Sequence, residues 1–103
     1  MAQEQSQLQA ILLELAGEDA NVYFQPPEGL TMQYPCIRYQ RDSAKTEFAG
    51  NRPYRFTQRY QVMVIDREPD NPVLKKIAEL PMCTFDRWYA VDNLNHDVFT
   101  LFF

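Results

Sequence analysis

The chain is poor in the residues from which most metal and phosphate sites are built. It has one histidine, His96, two cysteines, Cys36 and Cys83, and three isolated glycines, Gly17, Gly29 and Gly50. One histidine and two widely separated cysteines do not supply the closely spaced donors of a zinc centre. Three scattered glycines do not make a phosphate-cradling loop, and neither HExxH nor GxSxG occurs. The expectation is therefore no metal, no cofactor and no catalytic residue. No apolar run reaches the length that a bilayer demands, and the opening MAQEQSQ is polar rather than signal-like. We expect a chain made and kept in a cytoplasm, without membrane association. In that reducing setting Cys36 and Cys83 are expected to be ordinary thiols, with a disulfide as the less favoured alternative. Positive charge is also in deficit. The net charge of −4 excludes a chain that is basic as a whole and binds nucleic acid through bulk charge, although a local basic patch is compatible with it.

What is present is globular in character. A length of 103 residues, with 46% hydrophobic and 23% charged residues, fits one domain spanning 1–103 with a core of its own. The aromatic share of 14% is high for this size. It calls either for an unusually aromatic core or for rings at an interface, where aromatic anchors are favoured.

Periodicity orders the elements. Leu8, Ile11, Leu12 and Leu15 recur at helical spacing over Ser6–Ala16, with Ser6 placed to cap the start and Gly17 after the end. Asn21–Gln25 reads as a short strand stopped by Pro26 and Pro27. Cys36–Asp42 alternates, with Ile37 and Tyr39 on one face. Ser43–Pro53 shows no period and reads as a long polar loop, a kind of segment that is often functional, with Phe48 as its one exposed-looking ring. Tyr54–Arg67 is the strongest strand signal. Tyr54, Phe56, Tyr60, Val62 and Val64 share one parity, and Arg55, Thr57, Arg59 and Gln61 the other. At about 3.3 Å per residue it would reach about 46 Å, so part of it is expected to leave the core as a hairpin arm with the preceding strand. Asn71 and Pro72 open a helix striped by Val73, Leu74, Ile77 and Ala78. Phe85–Val91 and His96–Phe103 alternate again, joined through DNLN. The predicted order is α-β-β-β-α-β-β, an α+β domain with a mostly antiparallel sheet and helices packed on one face.

The segment DNLNHD, Asp92–Asp97, gathers acids, amides and the single histidine. As a site it would need a nucleophile beside His96, or the glycine and distal glutamate of a calcium loop, and it has neither. Asp92, Asn93, Asn95 and His96 read as a structural turn between two strands. Asp66, Glu68 and Asp70 lie in a proline-bracketed turn and read as solvated surface. Arg52, Arg55 and Arg59 form one local basic group. The neighbouring rings Tyr54, Phe56 and Tyr60 fall on the opposite parity, which favours a core role for the rings over a base-stacking platform. The arginines suit pairing with acids of a neighbouring subunit.

The runs VYFQPP (Val22–Pro27), YPCIRYQRD (Tyr34–Asp42), A-x-N-x-x-Y with a following R-Y (Ala49, Asn51, Tyr54, Arg59, Tyr60), VIDREPD (Val64–Asp70) and LPMCTFDRWYAVDNLNHDVFTLFF (Leu80–Phe103) follow one another along nearly the whole chain. Together they resemble the tail-terminator or head–tail joining proteins of long-tailed bacteriophages and prophages, with DNLNHDVFTL as the most specific part. One departure is Gly50, where the family pattern has Asp. The resemblance implies a structural virion protein at the head–tail junction, assembled in the host cytoplasm. It would form a homo-oligomeric ring, usually a hexamer, that ends polymerisation of the tail tube and joins it to the head connector. Its partners would be further copies, the tail tube protein and the connector or stopper protein. DNA would pass through the lumen without specific binding, which the net negative charge favours. Within that reading the segment Ser43–Pro53 is the expected contact element, with Phe48 as anchor and Arg52, Arg55 and Arg59 as charged partners. The alternatives are a head-completion stopper one ring closer to the head and, lacking any catalytic constellation, an enzyme or regulator on the same small fold.

Overall fold

The structure, a computed structural model, describes residues 4–17 and 21–103; the side chains at 48, 49 and 52–55 lie outside the described set. The order of elements is α1 (Gln5–Ala16), β1 (Asn21–Phe24), β2 (Cys36–Ala49), β3 (Arg52–Asp66), α2 (Val73–Ala78), β4 (Cys83–Val91) and β5 (Leu94–Phe102). This is the α-β-β-β-α-β-β sequence read from periodicity. The five strands form one sheet in the order β1-β2-β3-β5-β4. Only the β1–β2 pair is parallel.

Both helices lie on one face. Leu8 and Leu12 from α1 and Val73 and Ile77 from α2 bury against Ile37 and Tyr39 of β2, Tyr60, Val62 and Val64 of β3, and Phe99 and Leu101 of β5. β2, β3 and β5 each send alternate residues to this face, which is why period two was visible in the sequence. The core is aromatic at its centre. Tyr39 is 0% exposed, its ring 4.9 Å from Phe24 and 6.1 Å from Tyr60. Its hydroxyl donates to Gln9 Oε1 and accepts from Gln5 Nε2, both at 2.5 Å, so α1 is held to the sheet by hydrogen bonds as well as by burial. Burial raises the Tyr39 pKa above its ordinary value. Among the described residues no helix covers the opposite face. There Cys36, Ile65 and Val98 are buried by their own strand neighbours.

Several boundaries differ from those read in the sequence. The largest difference is Ser43–Pro53. It is not a loop: β2 runs on to Ala49, a two-residue turn follows, and β3 begins at Arg52. Register with β3 sets this stretch, and side chains that meet solvent on both sides carry no alternation to read. Ser6 does not cap α1. Glu4 does, its N–H donating to Gln7 Oε1 at 2.8 Å, while Ser6 sits inside the first turn. Gly17 follows the helix at φ 100°, and its N–H reaches Leu13 O. At α2 Pro72 already has helical angles. Asn71 Oδ1 accepts from the Val73 N–H at 2.9 Å, which is the capping role expected of it. Ala78 is exposed rather than part of the buried stripe.

Candidate functional site

The expected hairpin arm is present. β1 stops pairing at Tyr39 and β5 stops at Arg59, so among the described residues the remainder of β2 and β3 pair with each other alone. From Gln58 back to Arg52 the arm reaches about 23 Å beyond the sheet, and the molecule extends over 50 × 25 × 23 Å. Two bulges shape the arm, at Asp42 between Arg41 and Ser43, and opposite Glu47 and Phe48. Such insertions bend and twist a strand pair. Gly50 and Asn51 close its end with φ of 58° and 65°. Two consecutive left-handed residues make the type I′ turn that matches strand twist, and glycine and asparagine enter it most easily. The Gly-Asn pair is the signal that would have identified a hairpin in place of a loop.

The residues named as contact candidates all fall on this arm. In the register, Phe48 is opposite Pro53, Arg52 opposite Ala49, and Arg55 opposite Glu47. The side chains of Phe48, Arg52 and Arg55 lie outside the described residues. Arg59 sits at the base, its Nε 3.2 Å from Asp42 Oδ2, an ionic contact without hydrogen-bond alignment. Lys45 Nζ lies 3.8 Å from Glu47 Oε1. Arg41 donates to Gln58 Oε1 at 3.2 Å.

Charge is divided unevenly between arm and body. Residues 41–59 hold five bases (Arg41, Lys45, Arg52, Arg55, Arg59) and two acids (Asp42, Glu47), a net charge of +3. The rest of the chain holds five bases and twelve acids, a net charge of −7, which together give the −4 of the whole. Sequence reading singled out the three arginines. It missed the asymmetry, because Arg41 and Lys45 join that group only once β2 and β3 are paired.

The opposite end of the sheet is acidic, and the β4 edge that leads to it carries exposed rings. β4 is the last strand of the sheet, and Phe85 and Trp88 on it are each 56% exposed. Phe85 meets Phe99 edge-on at 5.5 Å. Trp88 donates its indole N–H to Asn95 Oδ1 at 3.2 Å. Asn95 Nδ2 in turn donates to the carbonyls of Asp66 and Arg67. Asp66 accepts from the Glu68 N–H and from Asn71 Nδ2. This chain of bonds ties the turn after β3 against β4, so that Asp66, Glu68, Asp70, Asp92 and Asp97 gather at the end of the sheet that bears Trp88.

The turn expected over DNLNHD is smaller than read. Asp92 and Asn93 alone form it, with φ of 53° and 63°, a second type I′ hairpin. Asn95 and His96 belong to β5 and are not turn residues. The His96 ring stacks on Tyr89 at 4.6 Å and 9°, and its Nδ1 lies 3.1 Å from Leu94 O. Strand alternation sends Asp97 to the other face, so the adjacent carboxylate does not orient the imidazole. Burial pushes the Asp97 carboxyl above its ordinary 3.8, with the His96 charge opposing the shift. A carboxyl raised by folding lowers stability above its folded pKa and costs nothing below the unfolded value. Asp97→Asn is therefore expected to raise the melting temperature at pH 7, and the gain should vanish below pH 3.8. Equal melting of the two proteins at pH 7 would mean that the carboxylate is compensated where it sits.

Among the described residues no three metal-ligating side chains converge. The thiols are unbridged, and they sit on opposite faces of the sheet, Cys36 across from Ile65 and Cys83 across from Leu101. Burial raises Cys36 to about 11, which makes it a poor nucleophile at neutral pH. No protein-family description, curated protein or solved structure matches the chain.

Proposed function

We propose that the chain is a ring-forming structural protein of the head–tail junction of a long-tailed bacteriophage, acting as a tail terminator. The observation that carries this reading is the arm. A pair of strands that leaves the sheet and, among the described residues, adds no side chain to the core suits contact with another chain. The motifs along the sequence that resemble the terminator family support the same reading.

The mechanism is mechanical rather than chemical. A subunit that offers one surface to a different surface of the next makes heterologous contacts, and such contacts close into a ring when the rotation fits. A closed ring on the end of a tail tube presents the next tube subunit with a non-matching surface, so growth stops there. The opposite rim is then available to the head connector. A predominantly acidic body disfavours binding of the DNA that threads the lumen. The virion is the place of function, and the host cytoplasm the place of assembly.

Removing the gene from its phage tests this reading, with lysates viewed by negative-stain electron microscopy. Tails of runaway length beside filled, tailless heads are expected. Normal-length tails lying apart from heads, or emptied heads, would move the protein to the stopper position. Normal infectious particles would overturn the reading.

A further inference from the structure

We propose that the basic β2–β3 arm of one copy docks on the acidic, ring-bearing β4 edge of a second copy, so that subunits join head to tail. The proposal deepens the ring reading, on which it rests, by naming the two surfaces that meet.

Three observations lead to it. The first is polarity. β3 runs unbroken from the arm tip at Arg52 to Asp66, so the arm and the turn after β3 lie at opposite ends of one strand in a molecule 50 Å long. The arm carries a net charge of +3. The far end gathers Asp66, Glu68, Asp70, Asp92 and Asp97 with Arg67, and the Asp86–Arg87 pair beside Trp88 adds no net charge, which leaves −4 with His96 neutral. Opposite charges at opposite ends attract head to tail and repel head to head. The second is the aromatic edge. Trp88 and Phe85 are large rings left exposed on a strand with a partner on one side only. Trp88 lies across from Asp97 in the register, with the Asp86–Arg87 ion pair beside it, and an exposed indole is a favourable receptor for a guanidinium. The third is what the monomer leaves unused. Both edges of the arm and the outer edge of β4 lack strand partners among the described residues. A neighbouring chain that covers an edge removes the hazard such an edge presents. The second copy is favoured over nucleic acid because it covers the β4 edge too, which a phosphate backbone would avoid.

Purified full-length chain and two sets of variants test this by sedimentation velocity and light scattering at about 0.05 M and about 1 M salt. The arm variant is Arg41→Glu with Lys45→Glu; the edge variant is Glu68→Lys with Asp70→Lys. All four positions are exposed, and thermal melting checks that each variant is folded. The wild type is expected to form closed oligomers at low salt and to weaken at high salt. Each variant alone should associate about tenfold or more weakly. Trp88→Ala should weaken association likewise at both salts. Mixing the two variants should restore association, because the edge variant's basic arm meets the arm variant's acidic edge and the two reversed surfaces are again of opposite charge. Wild-type rings that persist in both variants would overturn the docking surfaces and leave the ring reading standing. A wild type that stays monomeric at both salts would overturn both. Variants that lose retention on duplex DNA while wild-type copies remain apart would assign the arm to nucleic acid and sink the proposal.

Discussion

Removing Leu101–Phe103 is expected to abolish the fold. Leu101 is 1% exposed and lies between Tyr60 of β3 and Cys83 of β4, on the face the helices cover. Phe103 packs against the same cluster. Beyond its ladder pairing with β3 and β4, the segment also takes with it the bonds from the Phe102 N–H to Met82 O and from the Phe103 N–H to Gln58 O. β5 is interior to the sheet, so the loss loosens β4 as well. The Leu101 side chain alone is worth about 2–5 kcal/mol by comparison with other buried leucines, against about 5–15 kcal/mol for a whole domain. Leu101→Ala should therefore lower the melting temperature by about 10 °C or more. Phe102→Ala should cost less although the ring is larger, because Phe102 lies across from Arg59 and points away from the helices. Circular dichroism melts of the three variants decide the matter. A truncated chain that melts with the wild type would place these rings at an interface instead.

The second large effect is expected at Tyr39. Tyr39→Ala should destabilise by about 3–5 kcal/mol, the range for emptying a buried aromatic site. Tyr39→Phe isolates the hydroxyl. It keeps the ring between Phe24 and Tyr60 but leaves Gln5 and Gln9 without their shared partner, at a cost of about 1–2 kcal/mol. Urea titrations should show a lower midpoint for both variants, with an unchanged slope for Tyr39→Phe. Wild-type stability of Tyr39→Phe would show that the bonds from its hydroxyl to Gln5 and Gln9 do not hold α1 to the sheet.

These two positions also show what kind of information a local pattern contains. Ile37, Tyr39, Tyr60, Val62, Val64, Phe99 and Leu101 were readable as core because one face of their strands meets the helices and the other does not. The arm defeated the same reading. Residues 43–47 and 51 are solvated on both sides or only half-covered, so selection for alternation is absent and Ser, Ala, Lys, Thr and Glu look like loop. The bulge at Asp42 compounds this by shifting side chains to the other face in mid-strand.

The candidate interaction surfaces divide in the same manner. Arg52, Arg55 and Arg59 are neighbours in the chain and could be read as a basic group directly. The acidic end could not, because Asp66, Glu68 and Asp70 are brought beside Asp92, Asp97 and Trp88 only when β5 inserts between β3 and β4. Asn95, read as a turn residue, proves to be the amide that joins Trp88 to the backbone of Asp66 and Arg67. A side chain that bridges three segments has no signature in any one of them.

The sequence by itself determined the number, type and order of the elements, the core face of β2 and of the body of β3, and the site of the β4–β5 turn. These depend on contacts within a few residues or on the period with which side chains meet a single buried face. The core role it favoured for Phe56 fails, because that ring stands on the arm and is 48% exposed. Only the tertiary structure decided that β2 and β3 continue into an arm, that β5 lies between β3 and β4, and that opposite charges end up at opposite ends of one long strand. Those features depend on cross-strand register, which couples residues distant in the chain and leaves little trace in the local order of side chains.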